Sequence, residues 1–464
     1  MAGIGFELKK LFEKRGLFAS IRAYGYAAAV CTGPMLLSIA MLAGVRQLSE
    51  MMGVQSEQQD FLNCMLSYTL IASLLLSSVF TMVTTRYAAD MLYQRQYRRV
   101  LPSLYGSLAV SLAAGFVLYG MFLLFSGIEP VYILLCLILF CVLMVVWNQI
   151  QYITAIKDYK SILAAFFVSS VMAVVCGYLI GLVAKNTIAA LMSGVIIGYG
   201  VMMVWNFYLL HGYFPEGEGN IFEFLLWISR YPKLLCIGLF TTIGLFGHII
   251  IMWCSPAGVN IRGLFYAAPS YDVPALFAFL SILITTVNFT TSLEVRFYPY
   301  YRQYFNLLND RGTLADLQRA EEDMFTVLKQ ELFYLAIRQV FTTILFIVIG
   351  GPVFVSRNTG FNEIFMGTFS TLCIGYALYA IANSMMMVQL YFADDTGAFY
   401  SSLVFMLTAN AATVFFLSYD YRFYGLGFIA GALMMYITAW ARLMSYTRKL
   451  DFHILCSQPM KPVK

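Results

Sequence analysis

Charge is what this chain has least of. Lysine, arginine, aspartate and glutamate together make up 11% of its 464 residues, against roughly a quarter in a soluble domain. Its three histidines are too few and too scattered for a histidine-dependent acyl transferase. No G-x-x-x-x-G-K-[ST] loop occurs, so ATP is not expected to drive the chain directly. The nine cysteines contain no C-x-x-C pair, which argues against a zinc site or a redox dithiol. Most of them lie in apolar stretches and read as small core-filling side chains. No acid sits near the middle of an apolar run. Asp272, Glu294 and Glu363 all fall close to run ends, whereas a proton- or sodium-coupled antiporter prefers a deep carboxylate. No catalytic residue, metal, cofactor or nucleic-acid partner is expected. The first twenty residues also lack a long apolar run followed by a small-residue cleavage site, so the first apolar run reads as retained.

What remains is hydrocarbon. Apolar residues make up 61% of the chain, gathered into twelve stretches that each reach the roughly 20 residues a helix needs to cross a bilayer. They lie near Tyr24–Val45, Phe61–Thr85, Ser103–Gly127, Val131–Thr154, Ser161–Ala184 and Thr187–Leu210. After a polar break come Leu234–Cys254, Val273–Leu293, Leu332–Val355, Phe365–Phe392, Ala398–Tyr419 and Gly425–Tyr446. The expected fold class is an all-α integral membrane protein of about 12 transmembrane helices.

With the N-terminus placed inside, roughly 23 of the 29 lysines and arginines fall in inside segments and about five in outside ones. Both termini then lie in the cytoplasm, as an even span count requires. The stretch His211–Lys233, with Pro215, Glu216 and Glu218, divides the spans into two sets of six. The expected organisation is a cytoplasmic amphipathic helix over 1–20, an N-lobe over 21–211, a linker over 212–232, a C-lobe over 233–446 and a basic tail over 447–464. The two lobes are expected to enclose a central cavity. A faint echo supports duplication: Arg95-Gln96-Tyr97 follows the second span and Arg302-Gln303-Tyr304 the eighth. Parallel repeats are a common transporter plan. Within the C-lobe, 296–331 reads as a cytoplasmic loop. Its Thr313-Leu-Ala-Asp316 resembles a helix start, and Leu314, Leu317, Met324 and Leu328 follow helical spacing. Outside loops are short, the largest around Ser255–Tyr271.

Polar groups that persist in hydrocarbon face a cavity or another helix. The eighth span carries Thr286, Thr290 and Glu294 at i, i+4 and i+8, with Asn288 between them and Arg296 beyond. The tenth carries Tyr376, Tyr379 and Asn383; the eleventh Asn410; and Arg86 closes the second. Hydroxyls, amides and tyrosine rings suit a sugar chain, since aromatic faces pack on apolar sugar edges while polar tips bind hydroxyls. Interhelical hydrogen bonding is the competing explanation for each. Arg338 is the one basic residue well inside a span, placed either to snorkel outward or to line a cavity. His248 is a candidate proton relay, weighed against a hydrogen-bonded core imidazole. The Asp394-Asp395 pair looks like a metal ligand set, but acids at a helix amino end explain it more simply.

The opening Met1-Ala-Gly-Ile-Gly-Phe-Glu-Leu-Lys-Lys-Leu-Phe12 resembles the start of the PelG family, inner-membrane exporters of the Pel exopolysaccharide system. Arg22-Ala-Tyr-Gly-Tyr26, Thr32-Gly-Pro34 and Thr85-Arg-Tyr-Ala-Ala-Asp90 are similar to that family too, as are length and span number. Lys9 stands where arginine is expected and Phe12 where leucine is, changes that keep charge and amphipathicity. The resemblance implies membership of the multidrug/oligosaccharidyl-lipid/polysaccharide flippase superfamily, in the bacterial inner membrane. It further implies export of an N-acetylhexosamine-rich polymer beside a cytosolic glycosyltransferase and other membrane subunits, one of them often a cyclic-di-GMP receptor. It supplies no catalytic motif. A lipid-linked oligosaccharide flippase or small-molecule exporter, a membrane polymerase or acyltransferase, and a scaffold for a synthase remain as alternatives.

Overall fold

The computed structural model describes residues 17–156, 158–215, 217, 219–309, 313–350 and 363–450. Among them, eleven helices are long and apolar enough to cross a membrane. The 35-residue helix α1 (Leu17–Met51) encloses the expected first span besides. The helices are apolar over most of their circumference, as lipid on the outside and protein on the inside require. The chain continues through α2 (Ser56–Tyr93), α3 (Val100–Phe125), α4 (Pro130–Ile156), α5 (Tyr159–Val183) and α6 (Thr187–Tyr213). A short α7 (Leu225–Arg230) precedes α8 (Pro232–Trp253), and a hairpin of β1 (Val259–Arg262) and β2 (Phe265–Ala267) follows. The eighth span is built from α9 (Pro269–Phe279), a 3-10 turn and α10 (Leu283–Thr291), then a π turn over Ser292–Phe297 and α11 (Tyr298–Asn309). Last come α12 (Leu314–Leu345), α13 (Glu363–Tyr391), α14 (Asp395–Phe416) and α15 (Leu426–Thr447).

These residues pack as two compact units. The larger holds the described residues up to Thr242, with Met252–Pro269 and Thr286–Glu331. Its core is filled by Tyr87, Phe140, Leu143, Tyr152, Tyr199 and Phe224, each under 3% exposed. Glycines let its helices close up: a Cβ on Gly194 of α6 would lie 2.5 Å from the Gly177 Cα of α5, the small-residue contact typical of membrane helices. The smaller unit holds Ile243–Ile251, Ser270–Thr285 and the described residues from Leu332 onward. Phe369, Phe405, Phe428, Met435 and Ala439 form its centre. There Gly431 of α15 packs directly on Ala409 of α14.

Three features depart from the sequence reading. The Ser255–Tyr271 loop contains an antiparallel hairpin, with Val259 opposite Ala267 and a bulge between Asn260 and Arg262. The loop helix begins at Leu314 as expected, where Thr313 accepts from the Asp316 amide at 3.2 Å and donates to its carboxylate at 2.6 Å. It is not a separate surface helix, because α12 runs unbroken into the ninth span. The eighth span is irregular: Ser281, Thr290 and Thr291 return their hydroxyls to backbone carbonyls three or four residues back, and such bonds compete with the helical ladder. The expected helix over 1–20 lies outside the described residues except for its last four, which begin α1. Residues 351–355 of the ninth span and 451–464 of the basic tail also lie outside them.

Candidate functional site

In the larger unit, polar groups gather at the carboxyl end of α2. Helix α2 closes with Arg95 in the left-handed region (φ 58°) while the Gln96 amide reaches back to the Met91 carbonyl at 2.9 Å. This is a Schellman-type end, which usually takes glycine. Arg86 is exposed; it pairs with Asp90 one turn on at 3.3 Å and lies 5.3 Å from the centre of the Tyr231 ring. The Trp227 indole donates to Asp90 at 2.8 Å, and Glu223 accepts from Arg99 at 2.6 Å and from the Tyr87 hydroxyl at 3.3 Å. The polar linker is thus held against the second and third spans, with Gly106 admitting the Ile221 carbonyl. A cleft of about 1000 Å³ opens between the Arg95–Arg99 turn and the Pro215–Leu226 stretch.

Also in this unit, Asn288 is buried and Thr290 half-buried. The π turn that follows accommodates about one extra residue, so the i, i+4 register of the Thr286–Thr290 stripe does not carry on to position 294. The Glu294 side chain lies outside the described residues. Arg296 is exposed and its Nη1 donates to Glu331 at 2.8 Å. Glu331 is 8% exposed, and its second oxygen has no partner among the described residues. The sequence reading does not single it out, because it stands as the last residue of the 296–331 loop, immediately before the ninth apolar run.

In the smaller unit, His248 is fully buried. Its Nδ1 lies 2.8 Å from the Tyr271 hydroxyl and its Nε2 3.5 Å from that of Tyr376. Phe428 packs 4.4 Å from the imidazole centre, and Tyr379 stacks on Phe405 at 5.3 Å. Tyr376 and Tyr379 are 2% and 7% exposed, so the structure brings them into one aromatic core with His248. Asn410 sits against Gly247 and returns its amide to the Met406 carbonyl at 2.7 Å. Half-buried Asn383 keeps a side-chain oxygen with no partner among the described residues, and Arg338, on α12, is half-buried as well. Gln339, absent from the sequence candidates, is a buried hub: it accepts from Thr285 and donates to Thr343 at 3.1 Å and to the Ser281 carbonyl at 3.5 Å. A glutamine beside an arginine inside an apolar run was the signal available for it.

Asp394 proves to be structural. It accepts from the Gly397 amide at 3.0 Å, capping α14, and Arg442 clasps both its oxygens at 2.7 and 2.9 Å. Among the described residues no group of three histidine, cysteine or acidic side chains is placed to hold a metal ion. The accessible candidates are therefore Arg86 and Arg296, with Thr290, Arg338, Asn383 and Asn410 half-buried, while the tyrosines and His248 pack inside.

Residues 1–455 match the family model described as PelG, "Putative exopolysaccharide Exporter (EPS-E)". No curated protein matches the sequence. Among solved structures, "Crystal structure of MATE in the bent conformation" aligns at 11% identity with a TM-score of 0.62, covering 93% of this chain and 97% of that one. The structure described as "Reverse polarity of binding pocket suggests different function of a MOP superfamily transporter from Pyrococcus furiosus Vc1 (DSM3638)" aligns at 12% and 0.63, covering 92% and 96%. The "Inward-facing conformation of a multidrug resistance MATE family transporter of the MOP superfamily" aligns at 12% and 0.59, covering 92% and 99%. At these identities the likeness establishes the fold, which is that of MATE-type transporters.

Proposed function

The chain belongs to the PelG exopolysaccharide-exporter family, and from that premise we propose that it exports a Pel-like, N-acetylhexosamine-rich polysaccharide across the bacterial inner membrane. Family and fold are those of a multi-pass membrane transporter. The observation that carries the finer reading is the match to the family over residues 1–455, nearly the whole chain. On this reading a cytosolic glycosyltransferase feeds the polymer in, other Pel-type membrane subunits assemble alongside, and one of them is a cyclic-di-GMP receptor. The lobes over 21–211 and 233–446 enclose the path, and the chain itself forms and breaks no covalent bond.

Candidate path residues are Arg86, Thr290, Arg296, Arg338, Asn383 and Asn410, whose side chains are exposed or half-buried. Guanidinium and amide groups donate to sugar hydroxyls and N-acetyl carbonyls without needing a charged substrate. The Asn383 oxygen has no partner among the described residues but is itself buried, so a sugar hydroxyl would satisfy it only where the neighbouring side chains part. Tyr376, Tyr379 and His248 are buried together and on this reading serve the path only by holding its helices in place. Deleting the gene while the synthase stays active should abolish secreted polymer; normal secretion would overturn the proposal. The runner-up, export of a small molecule or a lipid-linked oligosaccharide, draws on the fold alone. It requires lost small-molecule efflux or an accumulating lipid-linked intermediate in the same deletion.

A further inference from the structure

We propose that α4 and α6 of the larger unit hold an internal water site between the side chains of Gln149 and Asn206. Asn206 is 0% exposed, and neither its Nδ2 nor its Oδ1 has a partner among the described residues. Gln149 is 1% exposed; its Nε2 donates to the Met203 carbonyl at 3.1 Å, and its Oε1 is left unpartnered among the described residues. A helical carbonyl points along the axis toward the residue four places on. The Gln149 amide therefore lies at the level of residues 203–207 of α6, the turn that carries Asn206. Turning that amide over would set its oxygen against the Met203 carbonyl, so the orphaned oxygen follows from the pairing.

Neighbouring polar residues of α4 find protein partners. Gln151 accepts from Thr84 at 2.6 Å and donates to Thr81 at 2.8 Å, and Tyr152 shares a hydrogen bond of 3.1 Å with Ser103. Asn148 donates to the Met144 carbonyl at 2.8 Å and to Ser111 at 3.2 Å. An amide sealed among apolar helices with nothing to bind is costly, and buried polar groups are satisfied by protein or by ordered water. The orphaned set at Gln149 and Asn206 combines an amino donor with two oxygen acceptors. A cation would take the oxygens and be repelled by the donor. Water donates and accepts, and two to four polar partners are what a buried water needs. Both side chains are closed to solvent, so the site suits nothing larger.

The test is X-ray hydroxyl-radical footprinting of the full-length chain in lipid nanodiscs. Radicals formed from an ordered internal water react in place, and methionine is readily oxidised. Met202 stands one turn before Asn206, Met192 lies well back on the same helix, and both are 0% exposed. Met202 should be oxidised several-fold faster than Met192, and Asn206→Leu should cut that excess about fivefold. Equally slow oxidation of both methionines in the parent would overturn the site and leave a direct amide–amide contact in its place. Thermal melts give a second readout. Leucine keeps the branched shape of asparagine, so Asn206→Leu should lower the melting temperature by stranding the Gln149 oxygen. Gln149→Leu/Asn206→Leu should lose less than the two single costs added. A higher melting temperature in Asn206→Leu, the result for an amide buried with nothing to bind, would overturn the proposal.

Discussion

The Tyr68 hydroxyl is bound twice by one residue 198 positions away, donating to the Tyr266 carbonyl and accepting from the Tyr266 amide, both at 3.1 Å. Cys64 reaches the same carbonyl at 3.4 Å, and the Tyr68 ring stacks on Trp253 at 4.4 Å. Arg262 pairs with Glu129 at 2.7 Å, and the Ser126 carbonyl accepts from the Leu264 amide at 2.8 Å. The hairpin is therefore fastened to the amino-terminal part of α2 and to the turn between α3 and α4. Tyr68→Phe keeps the stacking and removes both hydroxyl bonds, which should cost about 1–3 kcal/mol. Hydrogen exchange across Val259–Ala267 should accelerate in that variant; unchanged protection would contradict the assignment.

The Asp394–Arg442 clasp gives a second expectation. The Asp394 side chain is 3% exposed and that of Arg442 39%, so removing the arginine leaves a buried carboxylate whose remaining support is the cap. Arg442→Leu should destabilise the protein by about 2–3 kcal/mol, below the roughly 3–5 of a fully buried pair. Asp394→Leu/Arg442→Leu together should lose less than the two single costs added, read from thermal melts of purified protein.

Twelve apolar runs made the spans legible, because hydrocarbon thickness sets their length almost independently of tertiary detail. The start at Thr313 was legible too, since a hydroxyl three residues before an acid is a local device. The Val259–Ala267 hairpin was not. Its clues, Val259 alternating with Ile261 before Arg262-Gly263, are weak beside the surrounding hydrophobic signal. Close helix approaches such as Gly194 against Gly177 were equally hidden, because a glycine in an apolar run looks the same whether or not a neighbour needs the space. On the same helix, a Cβ on Gly200 would meet nothing within 4 Å.

Candidate residues were found by type and spacing, but spacing cannot tell which neighbour a helix face meets. Tyr376 and Tyr379 share a face with Asn383, yet the tyrosines are sealed against Phe428 and Phe405. Glu331 and Gln339 went unseen because their importance lies in long-range partners, Arg296 and Thr285.

Asp158 sets a pH expectation between α4 and α5. Burial pushes its carboxyl up, but the Ser161 hydroxyl and amide and the Tyr213 hydroxyl all donate to it and outweigh that effect, and Lys160 adds attraction. Its folded-state pKa is thus below the ordinary carboxylate value of 3.8. A depressed folded pKa adds stability that is complete above the unfolded value and is lost as the pH falls through the folded one. Asp158→Asn should lower the melting temperature at pH 7 and narrow its gap to the parent below about pH 4. An equal gap at both pH values would contradict this.

The Arg296–Glu331 pair joins a candidate path residue to its partner at 2.8 Å. Arg296→Gln and Glu331→Gln should each lower polymer secretion several-fold at unchanged membrane abundance. The exchange Arg296→Glu/Glu331→Arg should recover part of it. Full secretion in both single variants would remove the pair from the path.

The most direct test of export places the chain and its polymer-forming glycosyltransferase in inverted membrane vesicles and supplies labelled sugar nucleotide outside. The labelled polymer should be protected from added glycosidase when the chain is present, and digested when it is omitted. Equal protection without the chain would contradict the account.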